Sequence, residues 1–433
     1  MITYNQTLHF LYGLQARGIK FGLRNVRMLL RTVGDPHKRF PSIHVAGTNG
    51  KGSTASYIAS VFVEAGYRTG LYTSPHLVRF TERIRINGSE IPEAILVGYA
   101  RHLRPSIEAA RATFFEATTC IAFQYFADQQ VDIAVIETGL GGRLDATNLV
   151  LPEVSVITSI GFDHTELLGT TIRSIAREKG GIIKVGTPVV TSSSDPNVVK
   201  TLRSIAVKRG AGFYRAGSVV RQQNVARTAP ASTIARTKIF GRVVFRPGLE
   251  GDHQLENARL AVAALDLMLR KRRNRTRFRS VTAEKVRRGI RRVVQNTGIR
   301  GRLEAVGRHY LVDVAHNPGG LNALVRTIRA GEIPIAAAVF GVMKDKDWRS
   351  MLRELAALDV LCIMVAPSMQ RALSVRKLCD QAGKMAIPFR SGGSVGRGIR
   401  LARTLVGRKG RILIAGSHYV AGEALAALER RSA

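Results

Sequence analysis

Cysteine is scarce, with three in 433 residues. Cys120, Cys362 and Cys379 form no C-x-x-C pair and sit in apolar or helical surroundings. That excludes a disulfide framework and reads as buried free thiols in a reducing compartment. Long apolar runs are missing too: the longest candidate, near 333–343, falls well short of the roughly 20 residues that span a bilayer. The opening MITYNQTLHFLYGL has no basic n-region followed by an apolar run and a small-residue cleavage site, so a cytoplasmic protein without membrane association is expected. Acidic residues are also few: 31 against 66 lysines and arginines give a net charge of +35, and none occurs between 196 and 249. The run RKRRNRTRFR at 270–279 carries seven basic residues in ten. Such a field attracts nucleic acid without regard to sequence. No zinc-finger spacing or aromatic RNP-type motif accompanies it, and the arginines read as solvated helix faces, so no specific nucleic-acid partner is expected.

What is present is a globular composition, 45% hydrophobic and 22% charged, on a chain too long for one ordinary core. Short β-branched runs alternate with longer helical patterns, the mark of an α/β fold with a mostly parallel sheet. Strands are expected at 42–46, 69–73, 132–137, 154–160 and 187–191, and again at 310–315, 335–341, 360–366 and 411–415. Helices are expected at 251–270 and 281–294, with QNTGIRG at 295–301 suited to a linker. The division is therefore a P-loop-type mostly parallel sheet domain over 1–296 and a smaller Rossmann-like α/β domain over 297–433.

Residues 42–54, SIHVAGTNGKGST, join an apolar strand to a glycine turn and a helix expected from Ser53. Glycines at 47, 50 and 52 let backbone N–H groups, with those of Thr48 and Asn49, close on anionic oxygens. Lys51 adds a mobile cation, and Ser53 or Thr54 a hydroxyl of the kind that holds Mg²⁺. The match to G-x-x-x-x-G-K-[ST] is imperfect: Val45 replaces the first glycine and Gly52 separates Lys51 from Ser53. A plain glycine turn before an amphipathic helix stays open as the other reading.

Further polar groups fall at strand ends, where ligand crevices of open α/β sheets lie. Glu137 in IETGLGGRLDATN fits a Mg²⁺ bridging to a phosphate or, alternatively, an ion pair with Arg143. Asp145 and Asn148 could cap a helix or contact a substrate. Asp163 and His164 follow the fourth strand, and Lys179 closes a short helix, with spacings of 27 residues from Glu137 to His164 and 15 from His164 to Lys179.

Eight motifs in order give the chain its resemblance: GIKFGL at 18–23, HVAGTNGKGST at 44–54, TSPHL at 73–77, ERIRI at 82–86, ETGLGGRLDATN at 137–148, TSIGFDHT at 158–165, REKGGI at 177–182 and DVAHNPGG at 313–320. The chain resembles the folylpolyglutamate synthase and dihydrofolate synthase family of the Mur ligase superfamily over almost its whole length. ETG replaces the family's more usual EVG, and REKGG its REKAG.

The resemblance implies an ATP-dependent ligase that phosphorylates a pteroate or folate carboxylate and lets the amine of L-glutamate displace phosphate. It implies that Lys51 and the backbone of Gly47–Gly52 hold the β- and γ-phosphates, that Ser53 and Glu137 bind one Mg²⁺, and that His164 and a carbamylated Lys179 bind a second. Asn257 would contact adenine, Arg302 the phosphates, and Asp313 the ribose neighbourhood, while His316 would face the reacting groups. Ser74, Arg83, Phe115, Glu116, Asp145 and Ala146 lie in segments used for the pterin substrate or its covering loop, although Phe115 could equally be core. Ser417, with His418, would line the glutamate or nucleotide end, or simply form a strand-end turn. The small molecules expected are ATP, L-glutamate and dihydropteroate or a reduced folate, acting on a monomer. A UDP-muramyl-type ligase and a basic nucleic-acid-binding ATPase are the alternatives.

Overall fold

The computed structural model describes residues 2–18, 20, 22–222, 233–407 and 410–430. Ile19 and Phe21 of the GIKFGL motif lie outside the described residues. The chain divides into two compact units: one of residues 1–74, 80–248 and 254–299, the other of 75–79, 249–253 and 300–433.

The first unit is built on β1 (Ser42–Ala46), β2 (Thr69–Tyr72), β3 (Ile84–Ile86), β4 (Ser89–Glu90), β5 (Ile133–Glu137), β6 (Val154–Ile157), β7 (Val189–Thr191) and β8 (Phe213–Arg215). They form one sheet in the order β4-β3-β2-β5-β1-β6-β7-β8. The pairs from β2 to β8 are parallel, and β3 and β4 continue the β2 edge antiparallel. Every residue of β1 and β5 is buried, as a parallel sheet covered on both faces requires. Because β5 lies on one side of β1 and β6 on the other, the order of strand addition reverses there. The carboxyl ends of these three strands therefore surround one crevice. Beyond β8 follow β9 (Arg221–Gln222), β10 (Thr233–Thr237) and β11 (Gly241–Phe245), a small antiparallel sheet.

The second unit has β12 (Glu304–Val306), β13 (Tyr310–Val312), β14 (Ala337–Phe340), β15 (Leu361–Ala366), β16 (Phe389–Ser394) and β17 (Ile412–Ala415), ordered β12-β13-β17-β14-β15-β16 and parallel except at β12. Two apolar clusters pack around this sheet, one around Phe340, Met351 and Leu378, the other around Ile363, Val420 and Leu425.

Several sequence expectations need correction. The helix after the glycine loop begins at Lys51, not Ser53, because Gly50 adopts the left-handed conformation (φ 84°) and closes the turn at once. The expected linker is helical through Thr297 and ends at Gly298, also left-handed. Cys379 is only partly buried, unlike Cys120 and Cys362. The basic run is not merely solvated: Lys271, Arg273 and Asn274 all bind the carboxylate of Glu153, at 3.1, 2.7 and 3.0 Å. Burial alone would raise the Glu153 pKa, yet these donors hold it below the usual carboxylate range. Its stabilisation is thus present above the unfolded-state pKa and lost as pH falls through the folded one. Glu153→Gln should lower stability by about 2 kcal/mol at neutral pH, and by less in acid, in chemical denaturation.

Candidate active site

In the first unit the glycine loop is fixed from beneath by the strand beside it. Thr48 N donates to Ser159 O (2.8 Å), Thr158 Oγ1 donates to Asn49 O (2.7 Å), and the Thr48 hydroxyl exchanges hydrogen bonds of 3.1 Å with the backbone of Gly161. Gly47 has φ 153°, and a Cβ there would lie 1.7 Å from Thr158 Oγ1. A Cβ on Gly50 would meet Asn257 Oδ1 at 2.3 Å. The loop is therefore fixed in place, with the Lys51 amine turned back onto its own turn through Thr48 O at 3.2 Å.

Glu137 ends β5 almost fully buried and accepts from Ser74 N at 3.1 Å. The alternative pairing with Arg143 does not form: Arg143 pairs with Glu178 at 2.9 Å. Ser53 is buried beside Thr54, whose Oγ1, like that of Thr138, has no hydrogen-bond partner among the described residues. Hydroxyl and carboxylate oxygens in this setting suit Mg²⁺. Among the described residues no group of three His, Cys, Asp or Glu side chains is placed to hold a metal ion.

Lys179 is buried, with Nζ donating to Gly47 O at 2.6 Å. Burial, then the nearby Lys51, push its pKa down to about 7, against a smaller opposing pull from Asp163 and Asp145. His164 sits in the left-handed region (φ 50°), its backbone N–H bonded to Asp163 Oδ1 (2.9 Å) and its ring 3.9 Å from the same oxygen. These contacts put Lys179 with the glycine loop and His164 with Asp163.

On the other side of Glu137, Phe115 lies half-buried over the glycine turn, so close that a Cβ on Gly139 would come within 2.5 Å of its Cζ. Arg83 stacks on Phe114 (5.2 Å). Glu116 serves the helix it sits on, forming a capping box with Thr113 and accepting from Thr113 N at 2.7 Å. The T-x-x-E spacing already signalled this in the sequence. The Asp145 carboxylate is likewise turned into its own loop, accepting from Leu140 N and Thr147 N at 2.8 and 3.0 Å, with Ala146 buried behind it. Asn257 is buried and donates to Gln254 Oε1 (3.1 Å).

In the second unit Asp313 follows β13 and accepts from Leu303 N and Ala315 N, each at 2.8 Å. Burial raises its pKa, while the Arg302 charge acts the other way. His253, not singled out from the sequence, faces both groups; burial lowers its pKa and Asp313 opposes that. The His316 Nδ1 lies 3.0 Å from Val314 O and so donates to it, which makes Nε2 the acceptor nitrogen of the neutral ring. That ring packs against His418 at 4.6 Å. Ser417 caps the last helix, its Oγ accepting from Val420 N at 3.1 Å.

The first unit thus carries a glycine loop at the switch point of a parallel sheet, and the second is a separate α/β unit. Residues 45–265 match the Mur ligase middle domain, and residues 301–418 the Mur ligase glutamate ligase domain. A dihydrofolate synthase/folylpolyglutamate synthase of Bacillus subtilis is 36% identical over 391 residues, covering 87% of this chain and 88% of that protein. The Escherichia coli protein of the same description is 34% identical over 351 residues, 78% of this chain and 76% of its own. Among solved structures, Mycobacterium tuberculosis folylpolyglutamate synthase complexed with ADP and AMPPCP superposes with a TM-score of 0.85 at 31% identity, over 98% of this chain and 99% of that one. Escherichia coli FolC in complex with DHPP and ADP superposes with a TM-score of 0.83 at 29% identity, over 99% and 98%. The chain belongs to the dihydrofolate synthase/folylpolyglutamate synthase family. No helix of its described residues is long and apolar enough to cross a membrane.

Proposed function

We propose that this chain joins L-glutamate to the carboxylate of dihydropteroate, and to that of a mono- or polyglutamyl folate, while ATP is split to ADP and phosphate. The observation that carries this reading is the gathering of the phosphate loop, Glu137 and Lys179 at the ends of β1 and β5 and on the helix behind Gly47. The first unit is read as the ATP-binding domain with the folate-side loops, the second as the glutamate ligase domain. Phosphate release from ATP should require glutamate and rise with dihydropteroate and with a reduced monoglutamyl folate, each assayed alone. Release driven only by a UDP-muramyl substrate, or by RNA without glutamate, would overturn it.

An unactivated carboxylate is a poor acyl donor because oxide is a poor leaving group. Its oxygen therefore attacks the γ-phosphorus and the bond to ADP breaks; the glutamate amine then attacks the carbonyl carbon of the acyl phosphate, the C–O bond to phosphate breaks, inorganic phosphate leaves, and the amide nitrogen gives up a proton. Stabilising such a transfer is mainly a matter of placing positive groups around the moving phosphoryl oxygens. Lys51 and the N–H groups of Thr48 to Ser53 take that role. Ser53 and Glu137 would hold Mg²⁺, which supplies charge neutralisation on the phosphates. Asn257 is assigned to adenine, Arg302 and Asp313 to the nucleotide, and His316 to the reacting groups. Ser74, Arg83, Phe115 and Ala146 are assigned to the pterin side. Ser417 and Glu116 are explained by helix capping, and Asp145 by its turn.

Lys179 as an ammonium would repel a cation; as a carbamate, formed when its neutral amine attacks CO₂ and loses a proton, it would be an anionic oxygen ligand beside His164. The lowered pKa supports this, since near pH 7 about half the amine is neutral. After exhaustive removal of bicarbonate, recovery of activity at fixed dissolved CO₂ should be about tenfold slower at pH 6 than at pH 8, because protonation below the pKa removes the nucleophile. Full activity with an unmodified Lys179 by mass spectrometry would refute it.

A further inference from the structure

His44 stands in the middle of β1, the central strand, wholly buried and registered against Ile136 and Ser155. A polar side chain at this place needs a use, and one ring nitrogen has it. Nε2 lies 2.8 Å from Thr147 Oγ1, and that hydroxyl lies 2.5 Å from Asp145 Oδ1. Nδ1 has no hydrogen-bond partner among the described residues.

Asp145 Oδ1 and Oδ2 each already accept a backbone N–H, from Thr147 and Leu140, so the carboxylate is an acceptor. The single hydroxyl hydrogen of Thr147 goes to Asp145, and Thr147 in turn accepts from His44, which is the Nε2–H tautomer. Burial, with Lys184 nearby, keeps this imidazole neutral, with a pKa of about 3.

We propose that His44 and Thr147 are positioning residues for the pterin side of the site, acting through the relay His44 Nε2–H to Thr147 Oγ1–H to Asp145. The relay ties the glycine turn after Glu137 to the strand that carries the phosphate loop. Leu140 is held at one end of it, and Gly139, on which Phe115 rests, is the next residue in the chain. The two substrate surfaces, phosphate and pterin, are thereby set in register through one buried chain of hydrogen bonds. This rests on the ligase reading for its catalytic consequence, but the relay itself is readable without activity.

The test compares Thr147→Val, which keeps shape and loses the hydroxyl, with Thr147→Ser, which keeps the hydroxyl. In the full chain without ligands, amide hydrogen exchange over 139–147 should quicken about tenfold in Thr147→Val and stay near wild type in Thr147→Ser, as loss of one charge-assisted hydrogen bond implies. In turnover, the KM for dihydropteroate should rise about tenfold in Thr147→Val while the KM for ATP moves less than twofold, with Thr147→Ser restoring the first. His44→Leu should shift the same readouts less, and combining it with Thr147→Val should add nothing further, because both cut one chain. His44→Gln, which keeps a donor, serves if His44→Leu does not fold. Equal exchange in the valine and serine variants, a parallel rise in both KM values, or fully additive effects would overturn the relay. A wild-type protein without glutamate-dependent phosphate release would instead sink the ligase reading, leaving the exchange result to decide the relay.

Discussion

Lys51→Ala should reduce glutamate-dependent phosphate release by about a thousandfold at saturating substrates while leaving the melting temperature almost unmoved. The two halves of that expectation have separate causes. Folding makes little use of the side chain: its amine reaches Thr48 O, at 3.2 Å, within the same turn, and such a contact is worth about 1 kcal/mol or less. On the proposed reading catalysis should make much use of it, because charge moves onto phosphoryl oxygens as the γ-phosphoryl group is transferred. Losing one preorganised donor to such charge costs about 2.7–4 kcal/mol of transition-state stabilisation in comparable sites. Lys51→Arg should recover only a fraction, since the guanidinium is a planar fork in place of a compact point charge. A Lys51→Ala enzyme within tenfold of wild type, measured by coupled ADP release, would show that the loop's backbone N–H groups suffice and that the lysine assignment is mistaken.

The main strands and the loop were legible because their signals are local. β1, β5 and β15 are short β-branched runs between turn residues, and each falls where the period and flanks put it. What escaped is what only pairing creates. The hairpin of β3 and β4, at Ile84–Ile86 and Ser89–Glu90, is too short to show alternation, and β16, FRSGGS, has the composition of a turn yet pairs along β15. In the site, Glu137 and Lys179 could be picked out as polar groups at element ends, but the pairing of Arg143 with Glu178 could not. That choice depends on the turn 139–145 folding back toward the helix Ile172–Gly180, a tertiary fact. His44 escaped for the opposite reason. Inside an apolar strand a single histidine reads as filler until its neighbour across the fold, Thr147, is known.

Gly47→Ala should cost this protein both stability and ATP binding. Two costs combine at that position. The backbone sits at φ 153°, which an L side chain rarely adopts, and the new Cβ would overlap the Thr158 hydroxyl at 1.7 Å. Strain of the first kind costs about 1–3 kcal/mol, and overpacking of the second kind a similar amount. Neither partner can easily retreat. Thr158 Oγ1 is bonded to Asn49 O, its N–H to Ala46 O, and Lys179 Nζ holds Gly47 O from the other side. The loop would therefore move as a piece, taking the N–H groups of Thr48 to Ser53 away from where the proposed reading puts the phosphate oxygens. The expected result is a stability loss of about 2–5 kcal/mol in chemical denaturation together with loss of ATP binding. Thr158→Ala placed on top should return part of the stability, since it removes the overlap, yet not the binding, since the backbone strain and the freed Asn49 carbonyl remain. A Gly47→Ala protein that binds ATP normally in calorimetry would mean that the loop is not held at Thr158.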